Sequence, residues 1–188
     1  MPAPAQYSAV LHCHPDTPCT AVESIKSALS WNHGRLLTIT YVLNGIVDHL
    51  RIPPYRSARR VDDLWQHTCF ELFIGAKYDA EYYEFNFSPS GEWAAYGFCD
   101  YRDGKPIDVE GLEPKIALQR DGDKLELSAV IHSDRLPGFG PNVCLWLGLS
   151  AVIEDLDGSL SYWALKHPPG KPDFHHADGF ALELAAAG

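Results

Sequence analysis

Two stretches carry most of the chemistry in this chain: Asp62-Asp63-Leu64-Trp65-Gln66-His67-Thr68-Cys69-Phe70-Glu71-Leu72-Phe73 and Tyr82-Tyr83-Glu84-Phe85-Asn86-Phe87-Ser88-Pro89-Ser90-Gly91-Glu92-Trp93. If successive side chains alternate faces, His67, Cys69, Glu71 and Phe73 share one side of a strand and Phe70, Leu72 and Ile74 the other. In the next strand Tyr82, Glu84 and Asn86 lie opposite Tyr83, Phe85 and Phe87. A carboxylate in mid-strand among apolar neighbours is costly to bury unless it is paired or hydrogen-bonded. Two settings relieve that cost. Glu71 and Glu84 can face solvent on a half-buried sheet, or they can line a partly wet concave surface that holds a ligand. In the second setting Glu71, Glu84 and Asn86 share a surface with Trp65 at its edge, and Arg102 supplies a bidentate donor. A ring laid against a sugar face, with a few directed polar groups, is the chemistry of a shallow carbohydrate site. Two carboxylates on neighbouring strands can also serve as acid and base, or acid and nucleophile, on a glycoside.

The elements that must position these groups read as strands. The dominant pattern has period two and is punctuated by turn residues, and no long amphipathic helix is visible. Ser24–Trp31 and Leu36–Leu43 flank Asn32-His33-Gly34 as a hairpin, although Ala21–Leu29 also tolerates a helix. Thr68–Gly75, Tyr82–Ser88 and Trp93–Tyr101 form a meander. Lys115–Arg120 and Lys124–Ile131 form a second hairpin around Asp121-Gly122-Asp123. Val143–Glu154, Leu160–Leu165 and Phe180–Leu184 close the chain. Gly104, Pro106, Gly111 and Pro114 are expected to interrupt any ladder over 103–114. The expectation is an all-β, two-sheet β-sandwich of jelly-roll or immunoglobulin-like character, with roughly nine to eleven antiparallel strands in one domain spanning 1–188. The proline-rich loop from Lys166 to Phe174 is placed at its rim, where loops carry function.

Composition narrows the chemistry further. Fifteen Lys and Arg against 25 Asp and Glu give a net charge of −10, which repels a phosphate backbone, so nucleic acid is not an expected partner. Hydrophobic residues at 46% and charged residues at 21% are those of a folded globular domain. No apolar run approaches the ~20 residues of a membrane helix, and the first residues lack a signal-peptide pattern, so the expected setting is the cytoplasm. Five scattered cysteines without a CxxC argue against a disulfide framework or a thiolate zinc site. Glycine-rich phosphate loops, GxSxG elbows and HExxH helices are all missing, which removes nucleotide chemistry from the leading readings.

The Leu-Trp-x-x-Thr-Cys-Phe-Glu-Leu-Phe strand, the Tyr-x-Glu-Phe-Asn-Phe-Ser-Pro-Ser-Gly-x-Trp-Ala-Ala-Tyr hairpin and the late Asp173-Phe174-His175 segment together resemble bacterial DOMON-like domains, which are similar to family-nine carbohydrate-binding modules. The resemblance covers most of residues 36–184. It implies a β-sandwich and a sugar held between aromatic rings, with carboxylate, amide and arginine contacts. On that basis Trp65 is a stacking platform, Glu71 and Glu84 are hydroxyl acceptors, Asn86 is a bifunctional amide and Arg102 is a donor. The second ring is either Trp163 or Phe174, and His175 completes the candidate ligand set. The expected partner is a small carbohydrate, bound without catalysis and without a cofactor.

Three other readings follow from the same residues. Some DOMON domains bind haem b through Met and His. Here the sole methionine is Met1, which leaves only a bis-His site from His67, His167, His175 or His176. His12 with His14, and Asp173 with His175 and His176, each offer half a metal site without complete ligand spacing. A glycoside-acting enzyme using Glu71 and Glu84, and a protein-interaction module, are the remaining alternatives.

Overall fold

The computed structural model describes residues 5–32, 36–140 and 142–185. His33 and Gly34 of the first expected turn, Pro141 of a later one, and Met1 lie outside the described residues. Among the described residues twelve strands run in chain order: β1 (Ala5–Cys13), β2 (Val22–Asn32), β3 (Leu36–Gly45), β4 (Cys69–Ala76), β5 (Tyr82–Phe87), β6 (Trp93–Asp100), β7 (Asp103–Pro106), β8 (Lys115–Asp121), β9 (Lys124–His132), β10 (Leu145–Glu154), β11 (Leu160–Ala164) and β12 (Leu182–Leu184). The only helices among the described residues are single 3-10 turns, one of them Leu64–Gln66. The all-β antiparallel architecture expected from the periodicity is therefore observed, and the ambiguous segment 21–29 is strand.

Three details differ from the expectation. Most of β1 carried no strong strand signal, and β7 forms where Gly104 and Pro106 were expected to break the ladder. Because β7 is an edge strand, Pro106 sits opposite Tyr96 and its missing N–H costs nothing on the outer side. The strands also make one continuous hydrogen-bonded path, β7-β6-β5-β4-β10-β11-β1-β2-β3-β9-β8, with β12 added to β10, rather than two separate sheets. The junction is β1, whose residues Ala5–Leu11 pair with β2 while His12 and Cys13 pair with β11.

This path folds back on itself around an apolar core. Alternation buries Leu37, Ile39, Tyr41 and Leu43 of β3 and Leu125, Leu127, Ala129 and Ile131 of β9. These join Phe70, Leu72 and Ile74 of β4 and Phe85 and Phe87 of β5 in one cluster. Tyr41 and Phe70 have ring centroids 5.1 Å apart although their strands are far apart along the path, so the two halves face each other. The Tyr41 hydroxyl crosses the core and donates to the Glu71 carbonyl at 2.6 Å.

The opposite face of β4 is covered as well: Cys69, Glu71 and Phe73 are as inaccessible as their apolar neighbours. Its cover is the segment between β11 and β12. His175 and Phe180 set their rings 5.0 Å and 6.1 Å from Phe73. A sheet buried on both faces makes the mid-strand carboxylates unusual, and this double cover defines the site below.

Tyr41→Phe keeps the core ring and removes only the hydroxyl that links the two halves. Urea denaturation is expected to show a loss of about 1 kcal/mol at unchanged m. An unchanged midpoint would show that the cross-core bond contributes nothing net.

Candidate functional site

On the outer face of β4 and β5, partly roofed by the segment before β12, is a cleft of about 590 Å³. Glu71 and Glu84 line it, one from each strand. Glu71 pairs with Asn86 and Phe73 with Glu84, so the two carboxylates are diagonal neighbours on one face. They are 2% and 6% exposed, which excludes the solvent-facing alternative for both. The aromatic lining comes from separate elements. Trp65 stands half-exposed on the 3-10 turn before β4, Phe73 comes from β4, Tyr96 and Phe98 from β6, Tyr162 from β11, and Phe174 from the late segment. Tyr162 and Phe174 lie 6.0 Å apart and form one aromatic wall.

Hydrogen bonds fix the polar groups. Ser150 donates to Glu71 Oε2 at 3.1 Å, and the Asn86 amide donates to Glu84 Oε1 at 2.8 Å. The Arg102 backbone N–H donates to the Tyr82 hydroxyl oxygen at 3.2 Å, and that hydroxyl lies 2.9 Å from His175 Nδ1. With the hydroxyl proton given to Nδ1, a neutral His175 carries its own proton on Nε2, 3.7 Å from Glu84 Oε2. The Arg102 guanidinium bonds Asp173 at 2.8 Å and tethers the late segment to the meander. Asp63 and Arg102, both lining residues, adopt positive φ of 63° and 55° without being glycine. Such backbone persists where the surroundings hold it, and it clusters at binding sites.

Burial pushes the Glu84 carboxyl up to about 7, against the opposing effects of the Asn86 amide and the Arg102 charge. Burial also lifts Glu71 well above the usual carboxylate range, the Glu84 charge adds to this, and the Ser150 hydroxyl opposes it. His175 moves the other way, down to about 4, through burial and then the Arg102 cation, with Asp173 opposing. Burial alone would raise Asp173. The Tyr101 and Arg102 hydrogen bonds outweigh it and hold the carboxyl below its ordinary value.

The structure brings Trp65, Glu71, Glu84, Arg102, Phe174 and His175 together around this cleft. Two expected contacts change place. Asn86, on the anticipated face, is fully buried and does not line the cleft, so it orients Glu84. Trp163 belongs to the apolar core, its Nε1 donating to Ser161 at 3.0 Å, because it lies on the opposite face of β11 from Tyr162. The alternative second ring, Phe174, is the one at the cleft. His67 precedes β4 instead of lying within it, lies 2.8 Å from Glu154, and does not line the cleft. Tyr162 and Phe98 also line the cleft without a motif to mark them, and Tyr96, the last residue of the hairpin motif, joins them; parity along each strand is the signal that finds all three.

No family model matches the sequence, and none of the curated proteins matches it. Solved structures do. A Bacteroides uniformis protein provisionally described as carbohydrate-binding aligns over 92% of this chain and 83% of its own at 16% identity, with a TM-score of 0.66. A family-nine carbohydrate-binding module from Caldicellulosiruptor kristjanssonii, in complex with glucose, aligns over 92% of this chain and 80% of its own at 13% identity and TM-score 0.53. A family-nine module from the same organism in complex with cellotriose gives 87% and 74% coverage, 10% identity and TM-score 0.52. At these identities the likeness is one of fold.

The buried acids and His175 tie stability to pH in opposite senses. Glu84, with an ordinary value of 4.5, holds its proton to about 7 when folded. Its contribution is full below pH 4.5 and is lost as the pH rises through 7, and Glu71 acts in the same direction. His175 falls from 6.5 to about 4, so its contribution is full above pH 6.5 and is lost as the pH drops through 4. Glu84→Gln is expected to shrink the stability lost between pH 5 and pH 8 by roughly 2.5 kcal/mol in denaturant titrations. An unchanged pH profile would place Glu84 in ordinary solvent contact.

Proposed function

We propose that this chain is a non-enzymatic domain that binds a carbohydrate, or a similarly polyhydroxylated small molecule, in the cleft over Glu71 and Glu84. The observation that carries this reading is the combination of buried acceptors on the floor with aromatic rings from four or more separate elements around them. Neighbouring hydroxyls of a sugar match such acceptors, and the faces of its ring match Trp65, Tyr162 and Phe174. Arg102 has its backbone fixed in place and supplies a donor at the rim. The shared fold with modules solved holding glucose and cellotriose supports the same class of ligand. A DOMON-like affiliation fits the hairpin motif and the fold together.

One observation favours a second reading. A carboxyl raised to about 7 beside another carboxyl has the protonation a general acid needs at neutral pH. Release of nitrophenol from nitrophenyl glycosides, lost in Glu84→Gln, is the result that would favour cleavage over binding.

Titration calorimetry against glucose, cellobiose and cellotriose tests the leading reading. Trp65 is half-exposed on a short turn, so Trp65→Ala should leave the melting temperature close to that of the parent. It should also weaken sugar binding by about tenfold, the loss of one stacking contact. No saturable heat with any polyhydroxylated ligand, or equal affinity in Trp65→Ala, would overturn the site.

A further inference from the structure

Buried carboxylates in this chain are treated in two different ways. Of the four buried glutamates among the described residues, two have cationic side chains against them. Glu92 meets Arg59 at 2.7 Å and Arg56 at 3.6 Å, and Glu154 meets Arg51 at 3.1 Å and His67 at 2.8 Å. The other two, Glu71 and Glu84, are the pair that faces the cleft, and neither makes a salt bridge to Lys or Arg among the described residues.

Their protein donors are neutral and satisfy one oxygen each. Ser150 takes Glu71 Oε2 and Asn86 takes Glu84 Oε1. Glu71 Oε1 and Glu84 Oε2 accept no hydrogen bond from the described residues; the closest approach is His175 Nε2, 3.7 Å from Glu84 Oε2. Arg102, the cleft's guanidinium, turns to Asp173 through Nη2 at 2.8 Å and to the Tyr101 hydroxyl oxygen through Nε at 3.2 Å, not to either glutamate. Lys171 stands exposed at the rim. Two covered acids, each with one free oxygen, therefore share a cavity in which no described Lys or Arg comes within ion-pair distance of either.

A buried carboxylate is made tolerable by a cation with matching donors, and an ammonium brings both, with three N–H groups on one centre. A neutral hydroxyl brings a single donor and no charge. The surrounding rings are compatible with a cation, whose charge is attracted to aromatic faces. We propose that the ligand of this cleft carries a protonated amine on a polyhydroxylated frame, an amino sugar or an aminated polyol, with its ammonium bound by the free oxygens of Glu71 and Glu84. This rests on the sugar-binding reading and specifies its substrate class.

The test compares glucose with glucose aminated at carbon 2, 3 or 6, and with N-acetylglucosamine as a frame whose nitrogen is neutral. Binding is measured by calorimetry at pH 7.5, above the value of about 7 at which Glu84 loses its proton, with a chelator present. At least one amine should bind tenfold or more tighter than glucose, as a charged hydrogen bond implies, and N-acetylglucosamine should show no such gain. In Glu71→Gln the ratio of amine to glucose affinity should fall to about one. Glu84→Gln gives an independent second reading should the first variant fail to fold. If glucose binds and every amine binds no better, the amine is overturned and the carbohydrate site stands. If neither glucose nor the amines bind, both are overturned. A ratio retained in both glutamine variants removes the two glutamates from amine recognition.

Discussion

Two carboxylates withdrawn from water on adjacent strands set the terms for everything around them. Glu71 and Glu84 lie in the most thoroughly buried part of the sheet, between Phe70 and Leu72 and between Tyr83 and Phe85 in sequence. Burial there opposes ionisation, and their mutual repulsion adds to it. The surroundings answer with a serine, an amide and a cavity. Asn86 is wholly enclosed, and its amide is committed to Glu84. A packed apolar cover in place of the cleft would leave two acid oxygens with nothing to bond, at a cost of about 1–3 kcal/mol or more for each. The opening above them is thus part of what lets these residues occupy mid-strand positions.

Much of this was legible because strand alternation is strict. The alternation through Phe70, Glu71 and Leu72, repeated from Tyr82 to Phe87, assigns each acid to a face of its own strand, and the register of β4 on β5 brings those two faces together. Trp163 shows where such reasoning stops. The larger residue attracts attention as a sugar platform, but the decision belongs to pairing. Tyr162 sits opposite Val152, and Ser150 opposite Glu71, so Tyr162 shares the cleft face and Trp163 points into the core. That register spans strands far apart in sequence, and local composition does not encode it. The placement of the late segment is equally non-local, since Asp173 finds Arg102 across 71 residues.

The late segment gives the cleft its depth. Without it, β4, β5 and β6 would present an acidic, aromatic sheet face to solvent. With it, His175 contacts Phe73, Tyr82 and Phe98, while Phe174 and Tyr162 add a further wall. The tether is ionic and partly exposed at Arg102, the kind of contact that salt weakens. The shape of the cleft and the order of this segment are therefore properties of one assembly, and a change at Asp173 acts on the cleft through its shape before it acts through its charge.

The shared strand β1 has a consequence for how the molecule is made. Its early residues pair with β2, close by in the chain, but His12 and Cys13 must wait for Ala164 and Trp163, which leave the ribosome about 150 residues later. The second half-sheet cannot join the first through β1 until β11 has been synthesised. Contacts of such long sequence separation make for slow folding, because a large loop must close before they can form. During that interval the far end of β1 is an unpaired edge, the form of backbone most prone to pairing with another chain. Its last two residues, His12 and Cys13, are the part of the strand left without a partner while it waits.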